Sequence, residues 1–191
     1  MPSLAHNQWV WEDNDFRKPK VRVEWPNGYA QYFEGAKNQE CLVRAEGPKG
    51  QKWYYEGPYS DPILKRAEFP DGTVKYYEGD GGEDDLVRTE YPNGTVEYYE
   101  RVGQPSLDGR YVRMVRTELT DGTVTHWGGD LDAEYTVSVE SPDGSIRYYE
   151  GGRVRKVLPA GTVVYYDDEA ESMGSVERVV RTVLPDGTVV L

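Results

Sequence analysis

A turn glycine, preceded in most copies by Pro-Asp or Pro-Asn, returns along this chain at a nearly constant interval. Four of the seven intervals between successive copies are 22 residues. A period of this length is the size of one supersecondary unit, so the chain is expected to be an array of similar small units. The turn glycines are Gly28, Gly50, Gly72, Gly94, Gly122, Gly144, Gly161 and Gly187.

The residues around each turn glycine predict a β-hairpin. The copy from Glu68 to Asp80 reads EFPDGTVKYYEGD. Proline sets φ at the first corner, Asp braces the turn, and Gly accepts the left-handed position, with a bulge expected at the Gly. Val, Thr and Tyr in the arms favour strands. We predict about eight hairpins over residues 21–191, with an insertion near 101–113, after an N-terminal cap segment at residues 1–20.

Counting outward from the turn predicts the cross-strand register. The residue six before the glycine, Arg in seven of eight units, lies opposite the residue four after it, which is Tyr in six. Each guanidinium can stack on a ring, worth ~0.5–1 kcal/mol, and a Glu two residues after the Arg is within reach of it. Alternation also places Leu86 on the face of Arg88. The predicted structural ladder includes Arg44, Arg66, Arg88, Tyr54, Tyr76 and Tyr98.

A second ring, five residues after the glycine, points to the opposite face. Both faces therefore carry rings and charges, which indicates a sheet without a covering layer. We predict an all-β fold in which tandem hairpins of ~22 residues form an elongated, twisted, single-layer antiparallel sheet. A rolled barrel or a propeller is the alternative. The candidate binding residues are Tyr55, Tyr77, Tyr99, Trp127, Tyr149, Tyr166 and His126.

The copies of FPDGTVKYYEG, Phe69 to Gly79 here, resemble MORN repeats, whose units begin Y-P-[DN]-G and continue with Y-E-G. The resemblance covers roughly residues 21–191. The ring is doubled here, and an Arg-x-Glu arm replaces the Gly-rich arm usual in MORN units. The chain is therefore described as MORN-like or as related to YwqK-type hairpin repeats. This resemblance implies an elongated array that scaffolds proteins, dimerises, or holds a partner in its groove.

The fifth unit departs from the pattern, because His126 and Trp127 replace the paired tyrosines. One interpretation is a small-ligand pocket, or a metal site formed by His126 and an acid. The other is a diverged hairpin, which is favoured because no second imidazole or thiol stands at ligand spacing. The carboxylate runs at 79–85 and 167–172 lack the spacing of a calcium loop and are interpreted as solvated connectors.

Two further segments depart from the repeat. The insertion from Arg101 to Met114 contains Gly, Pro and Asp and is expected to form a surface loop, which either contacts a partner or is neutral. The N-terminal stretch QWVWEDNDF supplies apolar area ahead of the first hairpin. It is interpreted as a cap over the sheet edge, with a docking motif as the alternative.

The composition of the chain limits which binding partners and which cellular compartment we expect. The net charge of -12 disfavours nucleic acid and anionic membranes. Cys41 is the single cysteine, so no intrachain disulfide can form. The sequence contains neither a signal-peptide pattern nor ~20 consecutive apolar residues. We therefore expect a soluble, intracellular protein, cytoplasmic by default.

No catalytic or phosphate-binding motif is present, and the chain has only two histidines. We therefore predict a non-enzymatic protein without cofactor or metal. The leading interpretation is a protein–protein interaction scaffold or a peripheral subunit of a larger assembly, with a protein partner or self-association, because Tyr, Trp and Arg are enriched at interface hot spots. The alternative is a carbohydrate or small-ligand binding module with a Tyr ladder. An antitoxin or immunity-type binder, suggested by the YwqK resemblance, is the third.

Overall fold

A computed structural model of the chain describes residues 8–12, 20–35, 39–58, 60–79, 84–106, 109–130, 133–150, 153–166 and 178–191. All regular secondary structure in these ranges is β-strand. The strands are β1 (Gln8–Glu12), β2 (Lys20–Glu24), β3 (Ala30–Glu34), β4 (Cys41–Glu46), β5 (Lys52–Glu56), β6 (Ile63–Glu68), β7 (Val74–Glu78), β8 (Asp85–Glu90), β9 (Val96–Ser106), β10 (Gly109–Glu118), β11 (Val124–Asp130), β12 (Ala133–Glu140), β13 (Ile146–Glu150), β14 (Arg153–Val157), β15 (Val163–Tyr166), β16 (Val179–Val183) and β17 (Val189–Val190).

The chain divides into two compact units. The first comprises residues 1–92 and 103–112, and the second comprises residues 93–102 and 113–191. In the first unit β1 to β8 pair consecutively and antiparallel, and in the second unit β10 to β17 do the same. The predicted all-β, single-layer antiparallel sheet is confirmed, and it is open instead of closing into a barrel. The division into a cap at residues 1–20 and an array at 21–191 remains a prediction.

The insertion near residues 101–113 continues the strands on either side of it. β9 extends to Ser106, β10 begins at Gly109, and the two strands are hydrogen-bonded neighbours. The expected surface loop is therefore wrong, apart from residues 107–108, which lie outside the described residues. Gly103 and Pro105 suggested a loop, but Val102 and Tyr111 are residues that favour strands.

The turns have the predicted chemistry. In the third hairpin the Gly72 amide donates to the Phe69 carbonyl at 2.9 Å, and the Phe69 amide donates to the Thr73 carbonyl at 2.9 Å. Gly72 has φ of 89°, and Asp71 Oδ1 accepts from the Thr73 amide at 2.9 Å. This is a type I turn followed by a glycine bulge. Successive turns also pack together, because a Cβ at Gly72 would lie 3.2 Å from Pro92 Cγ.

The predicted register is confirmed in six hairpins. Each pair joins the position six before the turn glycine to the position four after it. The pairs are Arg22 with Tyr32, Arg44 with Tyr54, Arg66 with Tyr76, Arg116 with His126, Ser138 with Tyr148, and Arg155 with Tyr165.

Bulges between consecutive hairpins change which face some residues occupy. The register shifts between Tyr76 and Tyr77, so that Tyr76 pairs with Arg88 and Tyr77 pairs with Leu86. Because one extra residue of β8 is inserted, Leu86 moves to the face opposite Arg88. The predicted placement of Leu86 beside Arg88 is wrong for this reason. The same shift pairs Leu42 with Phe33 and Leu64 with Tyr55.

The two faces of the first unit therefore differ. We call the face that carries Arg44, Tyr54, Arg66 and Tyr76 the ladder face, and the same name applies to the corresponding positions of the second unit. The opposite face, here called the aromatic face, carries the paired rows of rings and leucines. These rows contain Phe33, Leu42, Tyr55, Leu64, Tyr77 and Leu86.

A small core lies on the aromatic face at the N-terminal end of the first unit. Val23, Phe33 and Leu42 are buried there, and Trp25 and Tyr55 pack against them. Smaller residues farther along this face are also buried. Ala45 lies between Gln31 and Trp53 in the register and is 0% exposed. Long side chains on the flanking strands thus cover the small ones, which is how a single layer buries part of its own surface.

Candidate functional site

The ladder face of the first unit carries an unbroken row of alternating arginine and tyrosine. Arg44 Cζ lies 3.9 Å from the centroid of the Tyr32 ring. Arg66 lies 5.5 Å from the Tyr54 ring and 5.9 Å from the Tyr76 ring. Arginine therefore contacts rings both within a hairpin and between hairpins, which links neighbouring repeats. In register the row is Arg22, Tyr32, Arg44, Tyr54, Arg66, Tyr76 and Arg88.

We call a rung one arginine together with the tyrosine before it in the register, and a glutamate completes the rungs of Arg44, Arg66, Arg88 and Arg116. Tyr54 Oη donates to Glu68 Oε2 at 3.1 Å, and Arg66 Nη2 lies 2.6 Å from Glu68 Oε1. One carboxylate is thus held by a phenol and by a guanidinium. Burial, followed by the hydrogen bond to Glu68, raises the pKa of Tyr54 above its usual value. The same arrangement joins Tyr32, Arg44 and Glu46, then Tyr76, Arg88 and Glu90, and, in the second unit, Tyr98, Arg116 and Glu118.

The Arg–Tyr contacts and the Arg–Glu pairs follow from the predicted register, but the Tyr–Glu hydrogen bond was missed. A signal for it exists in the sequence, because a Glu stands 14 residues after Tyr32, Tyr54 and Tyr76. This interval connects one hairpin to the next. It becomes meaningful only once the two adjacent strands that carry the Tyr and the Glu are known to pair, with both side chains on the same face.

The rings chosen as binding candidates in the first unit lie on the aromatic face. Tyr55 and Tyr77 are half-buried, and burial raises the pKa of both phenols. Each ring lies beside a leucine of the next hairpin, Leu64 or Leu86. The structure therefore brings rings and leucines together in one surface, although their role in binding remains a prediction.

The candidates of the second unit are also half-buried. Trp127 Nε1 donates to Thr117 Oγ1 at 3.0 Å. Tyr149 pairs with Val154, Tyr166 pairs with Val179, and the Tyr99 hydroxyl donates to Glu97. These rings already have neighbours within the sheet. Their function as binding residues is likewise a prediction.

His126 lies on the ladder face, in the position that tyrosine occupies in other units. Its Nε2 lies 3.1 Å from Glu140 Oε1, which corresponds to the bond between Tyr and Glu elsewhere. Ser138 stands where the other units have arginine. Within the described residues no group of three His, Cys, Asp or Glu side chains could hold a metal ion. The fifth unit has a modified rung, and its interpretation as a diverged hairpin remains a prediction.

Most of both predicted carboxylate connectors lies outside the described residues, at positions 80–83 and 167–172. Asp84 is described, and its Oδ2 accepts from the Leu64 amide at 3.0 Å, 20 residues earlier.

In the part of the chain that the structure describes, no helix is long and apolar enough to cross a membrane.

No family model and no curated protein matches the chain. Among solved structures, the TCP10 domain of Danio rerio CPAP in complex with a STIL peptide is similar, with 18% identity over 96% of this chain and 98% of that one and a TM-score of 0.40. The SAS-4 TCP domain of Drosophila melanogaster, in complex with a proline-rich motif of Ana2, has 15% identity over 100% and 96% of the two chains and a TM-score of 0.37. The CPAP G-box domain has 18% identity, 97% coverage of both chains and a TM-score of 0.36.

These scores are too low to support an argument about what this chain binds. They do correct the family resemblance. The solved structures named above are TCP and G-box domains, not MORN arrays, and no family model matches. The interpretation as a MORN-like or YwqK-type protein is therefore wrong. The turn motif and the paired rings that suggested it are what a hairpin in a single-layer sheet requires, and so they do not identify a family.

Proposed function

We propose that this chain is a non-enzymatic protein-interaction module that holds a partner protein on the aromatic face of its sheet. The observation that carries the proposal is the contrast between the two faces of the first unit. On the ladder face, Glu68 binds both Arg66 and Tyr54. On the aromatic face, the rings and leucines beyond the small core, such as Tyr77 and Leu86, remain half-buried, and the described residues form no second layer over them.

The chemistry of the aromatic face suits a protein partner. Tyr77 and Leu86 are paired across the strands, as are Tyr55 and Leu64, so each rung offers one ring and one aliphatic side chain. Rigid aromatic side chains held by their neighbours lose little conformational entropy on binding and are enriched at interface hot spots. Burial of these side chains by a partner would remove apolar area from water, at roughly 25 cal/mol per Å².

The solved TCP domains were observed with bound peptides, of STIL in one case and of Ana2 in the other. The proposal for this chain rests on its own aromatic face. The finer role, a scaffold or a peripheral subunit of a larger assembly, is part of the same proposal. No observation here favours the carbohydrate or the antitoxin interpretation over it.

The test is affinity capture from native extract with three forms of the chain, followed by mass spectrometry. The wild type is expected to retain a stoichiometric protein that Tyr77→Ser loses. Glu78→Gln is the matched control, because Glu78 is exposed and directly follows Tyr77 on β7. Circular dichroism confirms that each variant is folded. A partner retained equally by wild type and Tyr77→Ser, or no stoichiometric partner, contradicts the proposal.

A further inference from the structure

The first turn contains a pair of residues that can react with each other. Asn27 directly precedes the turn glycine Gly28, whereas four of the other turns have Asp in the position of Asn27. An asparagine followed by glycine is prone to spontaneous deamidation, because glycine has no side chain to hinder its backbone nitrogen. Asn27 and Gly28 are both exposed, so water has access to the turn.

The reaction needs only the two residues and water. The Gly28 backbone nitrogen loses its proton and attacks Cγ of Asn27, and the bond from Cγ to the side-chain nitrogen breaks. Ammonia leaves, and a succinimide ring remains. Water then opens the ring at one of its two carbonyl carbons. Cleavage between Cγ and the Gly28 nitrogen gives Asp, whereas cleavage at the main-chain carbonyl gives isoaspartate, in which the backbone runs through Cγ.

The folded turn engages both groups that must react. The Gly28 amide donates to the Trp25 carbonyl at 2.9 Å, and Asn27 Oδ1 accepts from the Tyr29 amide at 3.0 Å. The nitrogen of a succinimide carries no proton, so the ring cannot form while the Gly28 amide keeps its bond to Trp25. The turn must therefore open before Asn27 reacts.

The contacts around the turn oppose its opening. The Trp25 and Tyr29 rings lie on either side of the turn, with their centroids 5.2 Å apart. Trp25 also packs against the buried core that contains Phe33. A Cβ at Gly28 would lie 3.3 Å from Pro48 Cβ, so the first turn packs closely against the second. Opening of the first hairpin has to break these contacts, which makes the open state rare.

We infer that Asn27 is a deamidation site at which the folded first hairpin suppresses the reaction and opening of that hairpin permits it. The two products differ in their effect on the turn. Asp restores it, because Asp71 forms the corresponding bond to the Thr73 amide at 2.9 Å in the third hairpin. Isoaspartate adds a methylene group to the backbone of the turn and cannot reproduce this geometry. Deamidation thus converts a transient opening into a lasting loss of the first turn.

The test follows Asn27 in the intact chain during incubation at physiological temperature and neutral pH. The tryptic peptide of residues 23–37 contains Asn27 as its single asparagine. Mass spectrometry of this peptide measures deamidation, and fragmentation distinguishes Asp from isoaspartate. Asn27 of the folded chain is expected to react about tenfold or more slowly than in the free synthetic peptide of the same sequence. Equal rates in the folded chain and the free peptide would overturn the inference.

Two variants test whether opening controls the rate. Phe33→Ala weakens the core beside the hairpin without altering the neighbours of Asn27, and it is expected to raise the rate about tenfold. Phe33→Leu keeps an apolar side chain of similar size and is expected to react at nearly the wild-type rate. Val23→Ala, at another buried position of this core, serves if Phe33→Ala does not fold. An unchanged rate in the folded, destabilised variant contradicts control by opening.

A third variant tests the two products. Asn27→Asp is the chain that normal hydrolysis of the succinimide produces, and it is expected to unfold at the same urea concentration as the wild type. A clear loss of stability in Asn27→Asp would contradict the claim that the turn accepts this product. The inference concerns the first turn alone, so it is independent of the partner proposed for the aromatic face.

Discussion

The ladder of the first unit and that of the second unit are built on the same plan but differ in completeness. In the first, every arginine from Arg22 to Arg88 alternates with a tyrosine along the register. In the second, His126 and Ser138 replace one tyrosine and one arginine in one rung, and Val157 and Val183 stand where other units have glutamate. In a complete rung one glutamate binds both an arginine and a tyrosine, whereas in the incomplete rung of Ser138 the corresponding glutamate, Glu140, contacts His126 and no arginine stands opposite the ring. The repeat thus stabilises the sheet, and its interruption removes one of these links.

The largest difference between the units is expected in their apolar packing. Phe33 is buried with Val23 and Leu42, whereas Tyr149 of the second unit is only half-buried. Phe33→Ala is expected to lower the free energy of unfolding by ~3 kcal/mol, since it removes a buried ring and leaves a cavity. Tyr149→Ala is expected to cost about half as much. Urea denaturation of both variants measures the difference, and equal costs would contradict the unequal burial.

The next effect concerns the packing of one turn on the next. Gly72→Ala is expected to cost ~1–2 kcal/mol from the left-handed backbone, and more from the contact of the new Cβ with Pro92 at 3.2 Å. Gly187→Ala carries a similar backbone strain, but a Cβ there meets nothing within 4 Å. Thermal unfolding of the two variants separates the contact from the strain. Equal shifts in Tm would show that turn packing contributes nothing.

A smaller effect is expected from the stacking of arginine on tyrosine. A double-mutant cycle with Arg44→Ala and Tyr32→Ala should give a coupling energy of ~0.5–1 kcal/mol, because the guanidinium lies 3.9 Å from the ring centroid. The matched cycle with Ser138→Ala and Tyr148→Ala in the incomplete rung should give a coupling near zero. Strict additivity in the first cycle would refute the stacking.

The smallest effect is a pH dependence of the turns. Hydrogen bonds from the Thr73 backbone and side chain hold the pKa of Asp71 below its ordinary value of 3.8. The stabilisation is therefore complete above pH 3.8 and is lost as the pH falls through the lowered pKa. Asp71→Asn keeps the acceptor, as Asn27 does where its Oδ1 accepts from the Tyr29 amide at 3.0 Å. This variant should lose less stability than the wild type between pH 4 and pH 2 in urea titrations. Identical dependence of stability on pH in the two proteins would contradict this prediction.

The hairpins and their internal register could be predicted because both depend on residues close together in the chain. Gly72, Asp71 and the pairing of Arg66 with Tyr76 all follow from one turn. The bulges between hairpins could not be predicted, since the extra residue of β8 is visible only when β7 and β8 are paired. That shift placed Leu86 on the aromatic face, and with it the leucines that distinguish the two faces.

The sequence alone predicts the incomplete rung only in part. In the sequence itself His126 stands where six units have tyrosine, and Ser138 stands where the other seven have arginine. Their juxtaposition follows from the register, but the exposed state of Glu140 and the position of Tyr135 over Gly128 depend on the paired strands. Family membership was inferred from the turn motif, which reflects hairpin chemistry common to unrelated repeats.

The measurement that tests the central claim most directly is the stability of a repaired ladder. The double substitution His126→Tyr and Ser138→Arg restores the residues of a complete rung. It is expected to raise the free energy of unfolding in urea at pH 7 by ~0.5–1 kcal/mol from one stacked guanidinium, since His126 already makes the bond to Glu140 that the tyrosine would make. An unchanged or lower stability would contradict the claim that each complete rung stabilises the sheet and that this rung is incomplete.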